Sequence, residues 1–184
     1  MSETFNLSDW GRVLVVLEPD PGPISTPSKE ALGIGRELSD QLGVWLMVYT
    51  CGALSDQGKE IVSYGADLIF VDEQKNLPDQ TASLVKLVLK ERPEILLFPS
   101  FRRSEPLAAR VAQCFKTGIA TDCTALHLDL AERRLLATRP VYDGKLLEEA
   151  YWPRTRPQMA TLQPGAFPEG FPDPGREGRV EPVC

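Results

Sequence analysis

A single histidine, His127, serves the whole 184-residue chain, and its four cysteines (Cys51, Cys114, Cys123, Cys184) stand far apart with no Cys-x-x-Cys. The common zinc frameworks need such clusters, so they are excluded, and scattered thiols suit a reducing compartment. Long hydrophobic runs are missing too. The apolar runs are a few residues each, such as Val13 to Leu17, far below the ~20 residues of a spanning helix. No charged-then-apolar stretch precedes Trp10, so no signal peptide or membrane insertion is expected and the expected location is cytoplasmic. Basic charge is in deficit: 20 Lys+Arg face 26 Asp+Glu, a net charge of −6. The basic residues are also scattered, which argues against a nucleic-acid partner. What remains, 42% apolar and 25% charged, is the composition of a soluble globular chain of one domain or slightly more.

Apolar segments of strand length alternate with amphipathic helices through the first two thirds. Arg12 to Leu17, Val44 to Tyr49, Asp67 to Val71 and Glu94 to Pro99 read as strands apolar on both faces, as in a covered parallel sheet. Thr26 followed by Pro27 predicts a helix start, with Ala31, Ile34, Leu38 and Leu42 facing inward. Ser55 is placed to cap a helix carrying Ile61 and Val62, with Gly65 at its end. Leu84, Val85, Val88 and Leu89 stripe a third helix that must stop before Pro93. Ser104 is expected to cap a fourth, with Leu107, Ala108, Val111, Ala112 and Phe115 inside. After Lys116 the period changes to two. Leu126 to Leu130, Leu135 to Tyr142 and Leu146 to Trp152 read as antiparallel strands, with Asp143-Gly144 as the hairpin turn and Gln158 to Gln163 as one more strand. The expected fold class is therefore α/β: a parallel, Rossmann-like sheet of about five strands with helices on both faces (11–122), plus an antiparallel β extension (123–163). From Pro164 to Cys184, nine of twenty-one residues are Pro or Gly. That stretch reads as an extended tail or linker, mobile or docked only through Phe167 and Phe171.

No catalytic constellation is visible. Gly33-Ile-Gly35 starts like a dinucleotide fingerprint, but Leu38 occupies its third glycine position and the pair lies inside a helix, so close helix packing explains it. The loop after the first strand lacks a Ser-Gly-Gly-x-Asp phosphate cradle. Arg102 and Arg103 either hold an anion at a helix start or sit in a solvated loop. His127 falls on the polar side of its strand without a nucleophile in reach, and Cys51 has no visible base.

Several segments together resemble one family. Gly65 to Val71, Glu94 to Pro99, Leu107-Ala-Ala-Arg110 and Thr117-Gly-Ile-Ala-Thr-Asp122 resemble the amino-terminal domain of the electron transfer flavoprotein alpha subunit. Thr138-Arg139-Pro140-Val-Tyr142-Asp-Gly144-Lys145 is similar to that family's Arg-Pro-x-Tyr-x-Gly-Lys hairpin, and Pro157 to Phe167 to its closing Pro-Gln-x-x-Thr-x-Arg-Pro-Gly-x-Phe. Departures are Ser104-Glu105-Pro106 in place of Gly-Arg-Asp, and Gln163 in place of Arg. The resemblance spans roughly 11–167.

The resemblance implies a heterodimer of alpha and beta subunits that carries electrons from flavin dehydrogenases to later acceptors. This domain (1–163) would be its scaffold, and 164–184 the start of a linker to an FAD domain not present in the chain. No cofactor is expected in the isolated chain. FAD is expected in the complete protein, with AMP or a second FAD in the beta subunit. The candidate interface residues are Arg110, Asp122, Arg139, Tyr142, Tyr151 and Trp152. All but Arg110 keep a plainer alternative: Asp122 fixing a turn, Arg139 bound to a local carboxylate, and the three aromatics filling the core of the extension. The rival functions are a nucleotide-binding enzyme of the same fold and a stand-alone binding module.

Overall fold

Ten strands and four helices follow one another in the computed structural model, which describes residues 7–18, 22–52, 54, 57–74, 76–100 and 104–183. β1 (Val13–Leu17), β2 (Leu46–Cys51) and β4 (Ile95–Pro99) are buried at every position, which is why their sequences are continuously apolar rather than alternating. With β3 (Leu68–Asp72) they form the centre of an all-parallel sheet. Helices α1 (Thr26–Leu42) and α2 (Gln57–Ser63) cover one face; α3 (Leu77–Glu91) and α4 (Ser104–Phe115) cover the other. The expected inner faces are found: Ala31, Ile34 and Leu38 on α1, and Leu84 and Val88 on α3, are buried. Leu89 is exposed instead, and Leu87 takes the inward place.

The helix starts differ in detail from expectation. Ser25, not Thr26, is the N-cap of α1, and its hydroxyl meets Ser28 Oγ at 3.0 Å rather than a backbone N–H. Asn76 caps α3 by accepting from the Asp79 N–H at 3.0 Å. Ser104 lies inside α4 and donates its hydroxyl back to the Pro99 carbonyl. Ser55, Arg102, Arg103 and Cys184 lie outside the described residues.

The sheet has seven strands in the order β10-β3-β2-β1-β4-β9-β5. β5 (Ile119–Cys123) was not expected as a strand, and β9 (Gln158–Leu162) was expected in the antiparallel extension. The structure corrects both: β9 slots between β4 and β5, parallel to each. Its polar residues are spent on specific bonds, with Gln158 Oε1 accepting from the Leu135 N–H at 2.8 Å and Thr161 Oγ1 from the Asp122 N–H at 2.9 Å. The antiparallel sheet is therefore shorter, consisting of β6 (Ala125–Asp129), β7 (Arg134–Val141) and β8 (Leu146–Ala150). Its inner side, Leu126, Leu135 and Ala137, joins the core on the α1 face. At its tip, Asp143 (φ 55°) and Gly144 (φ 79°) take the left-handed conformations of a primed turn, and the Lys145 N–H donates to the Tyr142 carbonyl.

Residues 164–183 are not a loose tail. They form a strap that runs back over α1 and α2 and ends as β10 (Arg179–Pro182), parallel to β3. Glu30 accepts the Gly165 N–H at 2.9 and 3.1 Å, Asp173 N–H donates to the Ser63 carbonyl, and Val183 N–H to the Val71 carbonyl. Phe167 is buried, whereas Phe171, the other expected anchor, is 96% exposed. Backbone bonds, the Glu30 carboxylate and the one buried anchor, Phe167, hold the strap.

Candidate functional site

In an open parallel sheet, ligands bind at the carboxyl edge where strand order reverses, here between β1 and β4. Among the described residues that place is nearly filled. Tyr49, Cys51, Gln80, Ser104 and Leu107 close on Leu17 around a cavity of about 20 Å³, against the several hundred Å³ of a cofactor site. Tyr49 donates to the buried Asp72 carboxylate, and Cys51 Sγ lies 3.5 Å from its hydroxyl. Burial, then the bond to Asp72, pushes the Tyr49 phenol far above its ordinary range. Among the described residues the space left here is far smaller than a flavin or nucleotide. A larger groove of about 510 Å³ lies between α1 and the strap, but Glu37, Asp40, Glu169 and Asp173 line it. Its two arginines already face carboxylates, Arg36 on Asp40 and Asp67, Arg176 toward Asp67 at 3.9 Å. Such a lining repels a diphosphate.

The surface of the antiparallel arm is different. The first four residues of β8 are exposed. Tyr142, Leu146, Leu147 and Tyr151 are each more than half exposed, with Leu146 and Leu147 on opposite faces of β8. Arg134 stacks its guanidinium over the Tyr151 ring at 5.7 Å. Arg139 is half-buried at the root of this surface: Nε meets Glu148 at 2.6 Å and one terminal nitrogen donates to Thr121 Oγ1 at 3.0 Å. Of its two alternatives, the local carboxylate partner is present. Asp122 has φ 54° at a bulge in β5, and its carboxylate accepts from the distant Ser100 Oγ at 3.0 Å. Arg110 is exposed on α4, away from the arm. Trp152 is buried, with Nε1 donating to the Gly118 carbonyl at 2.8 Å, which places it in the core and not on a docking surface. His127 is exposed, as its strand face required.

Sequence reasoning missed the group that anchors the arm. Glu94, just before β4, is 1% exposed. It receives Arg133 from the β6–β7 turn at 2.6 Å and Arg156 from the loop before β9 at 3.3 Å. Arg156 and Gln158 also donate to the Arg133 carbonyl at 2.8 and 3.2 Å. Burial lowers the Arg156 pKa and Glu94 works against that. The available signal was a charged residue heading an otherwise apolar strand, immediately after Pro93.

An electron transfer flavoprotein domain model matches residues 13–183. The chain belongs to the electron transfer flavoprotein family. It is 34% identical to protein FixB of Clostridium saccharobutylicum over 97% of its length, covering 55% of that relative. Protein FixB of Rhizobium meliloti is 39% identical over 86% of the chain and 48% of the relative. The electron transfer flavoprotein subunit alpha of Clostridium acetobutylicum is 35% identical over 89% of the chain and 50% of the relative. The chain spans about half the length of the curated relatives it matches. No helix among the described residues is long and apolar enough to cross a membrane.

One chemical consequence concerns Cys123, fully buried at the end of β5. Burial pushes its thiol from about 9 up to about 12, with Arg139 opposing and Asp122 adding to the rise. Above the ordinary thiol value an unfolded chain releases this proton while the folded chain keeps it. The associated stability is complete below about pH 9 and is lost as pH climbs toward 12. Tyr49 acts with the same sign at higher pH. Urea midpoints should thus fall between about pH 8.5, the ordinary thiol value, and about two units above it, and less steeply in Cys123→Ala; equal slopes in the two proteins would refute the assignment.

Proposed function

We propose that this chain is the scaffold domain of an electron transfer flavoprotein alpha subunit and that its antiparallel arm docks the beta subunit. The assembled heterodimer carries electrons from flavin dehydrogenases to downstream acceptors in the cytoplasm. In this reading the chain itself is no enzyme. FAD belongs to the complete protein, and AMP or a second FAD to the beta subunit. The observation that carries the docking role is the exposure of four large side chains on one arm, Tyr142, Leu146, Leu147 and Tyr151. Aromatics with one polar edge are the residues enriched at such contacts. Arg139 and Asp122 support it from beneath, and Arg110 is a second, separate contact candidate on α4.

The test is a binding titration of the chain against the beta subunit of the same host. Replacing both exposed tyrosines, Tyr142→Asp with Tyr151→Asp, should weaken the complex by about ten- to a hundredfold, or ~1.4–2.8 kcal/mol. The chain's own melting temperature should hardly move, since both rings are largely in water. Unchanged affinity would remove the arm from the interface.

A further inference from the structure

The strap puts an aromatic ring in water and keeps it there. Phe171 is 96% exposed, yet the backbone on each side of it is tied down. The Gly170 N–H donates to the Lys29 carbonyl at 3.3 Å and the Asp173 N–H to the Ser63 carbonyl at 2.8 Å. The ring therefore stands at a fixed place, on the wall of the groove of about 510 Å³ between α1 and the strap. A second groove, of about 970 Å³, opens between α2 and the end of the strap and shares Ser63 and Arg176 with the first. Together they make one trough, longer than a single small ligand fills. Its two ends differ in chemistry. Glu37, Asp40, Glu169 and Asp173 line the first groove against Arg36 and Arg176. Both arginines are engaged: Arg36 meets Asp40 and Asp67 at 2.8 Å each, and Arg176 donates to the Gly65 carbonyl at 3.1 Å. Lys29, close by, stands over the Tyr64 ring at 5.5 Å and pairs with Glu60 at 3.6 Å. Glu37 and Glu169 are exposed, and among the described residues neither forms an ion pair. The second groove is lined by Leu54, Val62, Pro174 and Val180, with Lys59 and Arg176 balancing Glu60 and Glu177.

We propose that this trough receives an extended segment of a second, different polypeptide, with lysine or arginine at the Phe171 end and aliphatic residues at the Val180 end. The surface lies toward the β10 end of the sheet, whereas the arm stands beside β5 at the other end, so the proposal is independent of the docking reading above. Charge and exposure select the occupant. A cationic side chain entering the first groove meets two carboxylates without a counter-charge and an aromatic ring that no cation of this chain covers. Aliphatic residues further along cover Val62 and Val180, the latter more than half exposed until then. Residues 1–6 of this chain, Met-Ser-Glu-Thr-Phe-Asn, have a carboxylate and no lysine or arginine, so they carry the wrong charge for the site. A second copy brings a net charge of −6 toward an acidic groove, which opposes self-association there.

Amide chemical shifts of the chain, followed while the peptide acetyl-Lys-Arg-Ala-Leu-Val-amide is added, test this. Shifts should saturate at Gly170, Phe171 and the Glu37 turn of α1, with a Kd of about 1 mM or tighter. The charge-reversed peptide acetyl-Glu-Glu-Ala-Leu-Val-amide should leave those amides still. Phe171→Ala, and separately Glu37→Lys with Glu169→Lys, should each weaken the basic peptide about tenfold. All three side chains are exposed, so the melting temperature should hardly move. An equal response to the two peptides, shifts scattered over every acidic part of the surface, or wild-type affinity in both variants overturns the proposal. Self-association that Phe171→Ala abolishes assigns the trough to a second copy and overturns it as well. Loss of beta-subunit affinity in Phe171→Ala as large as in the double tyrosine variant makes the trough part of that interface, which overturns the separate partner and leaves the docking reading standing.

Discussion

Glu94→Ala should cost the chain about 3–5 kcal/mol, because it strands a buried arginine without its carboxylate. Arg156 is 3% exposed, and Glu94 is its only carboxylate partner among the described residues. Its Nε already lacks a hydrogen-bond partner there, so little spare capacity remains to absorb the loss. The damage should spread by a defined route. Arg133, freed from Glu94, no longer fixes the β6–β7 turn, and the Arg133 carbonyl that gathers Arg156 and Gln158 loses its position. Gln158 in turn holds the Leu135 N–H, the first buried residue of β7. Denaturant unfolding measures the first effect, and emission from Trp152, whose carbonyl accepts from Arg156 at 3.3 Å, reports the second. Against a typical total of about 5–15 kcal/mol, such a loss is unmistakable. A change below about 1 kcal/mol would mean that the three groups do not act as one buried unit.

Gly33→Ala should lift the strap from α1 at a cost of about 1–3 kcal/mol. A Cβ there would stand 2.7 Å from the Gly170 nitrogen and 3.0 Å from the Pro168 carbonyl oxygen, both backbone atoms that have no rotamer to change. A Cβ on Gly170 would in turn stand 3.1 Å from the Gly33 Cα, and the Gly170 N–H donates to the Lys29 carbonyl at 3.3 Å. Trypsin should then cut after Arg176 and Arg179 well before the rest of the chain is attacked. Gly11→Ala is the control, since a Cβ at that position meets nothing within 4 Å. Equal proteolysis of the two variants would show that the strap is held by its β10 end alone.

The centre of the fold was legible because β1, β2 and β4 advertise burial on both faces, and the helix stripes fall at the right spacing. The ends were not, and the reason differs at each. β9 is as buried as β4, but Gln158 and Thr161 break its apolar run, and their partners in β5 and β7 are distant in sequence. β10 is exposed at every position and held by main-chain bonds to β3, which no side-chain pattern announces. The arm's exposed tyrosines could be singled out by residue type. Trp152 could not be separated from them, because its core position depends on a carbonyl at Gly118, on the far side of the arm in sequence. Gly33 and Gly35 were legible as packing glycines, although their neighbours, the strap at one and Val15 with Leu46 at the other, were not.

The place of β9 also governs the order in which the molecule is made. Among the described residues β5 pairs with β9 alone, and β4 keeps an open flank until β9 arrives. During synthesis the arm, 125–150, emerges and closes its own local hairpins before the strand that seats β5 exists. Hairpins of this kind form in microseconds, whereas a nascent chain lengthens by only about 5–20 residues per second. For the interval between Ala150 and Leu162 leaving the ribosome, the growing chain carries a finished arm on an unfinished sheet. The flank of β4, whose five residues Ile-Leu-Leu-Phe-Pro are all buried in the finished fold, stays open for that short window.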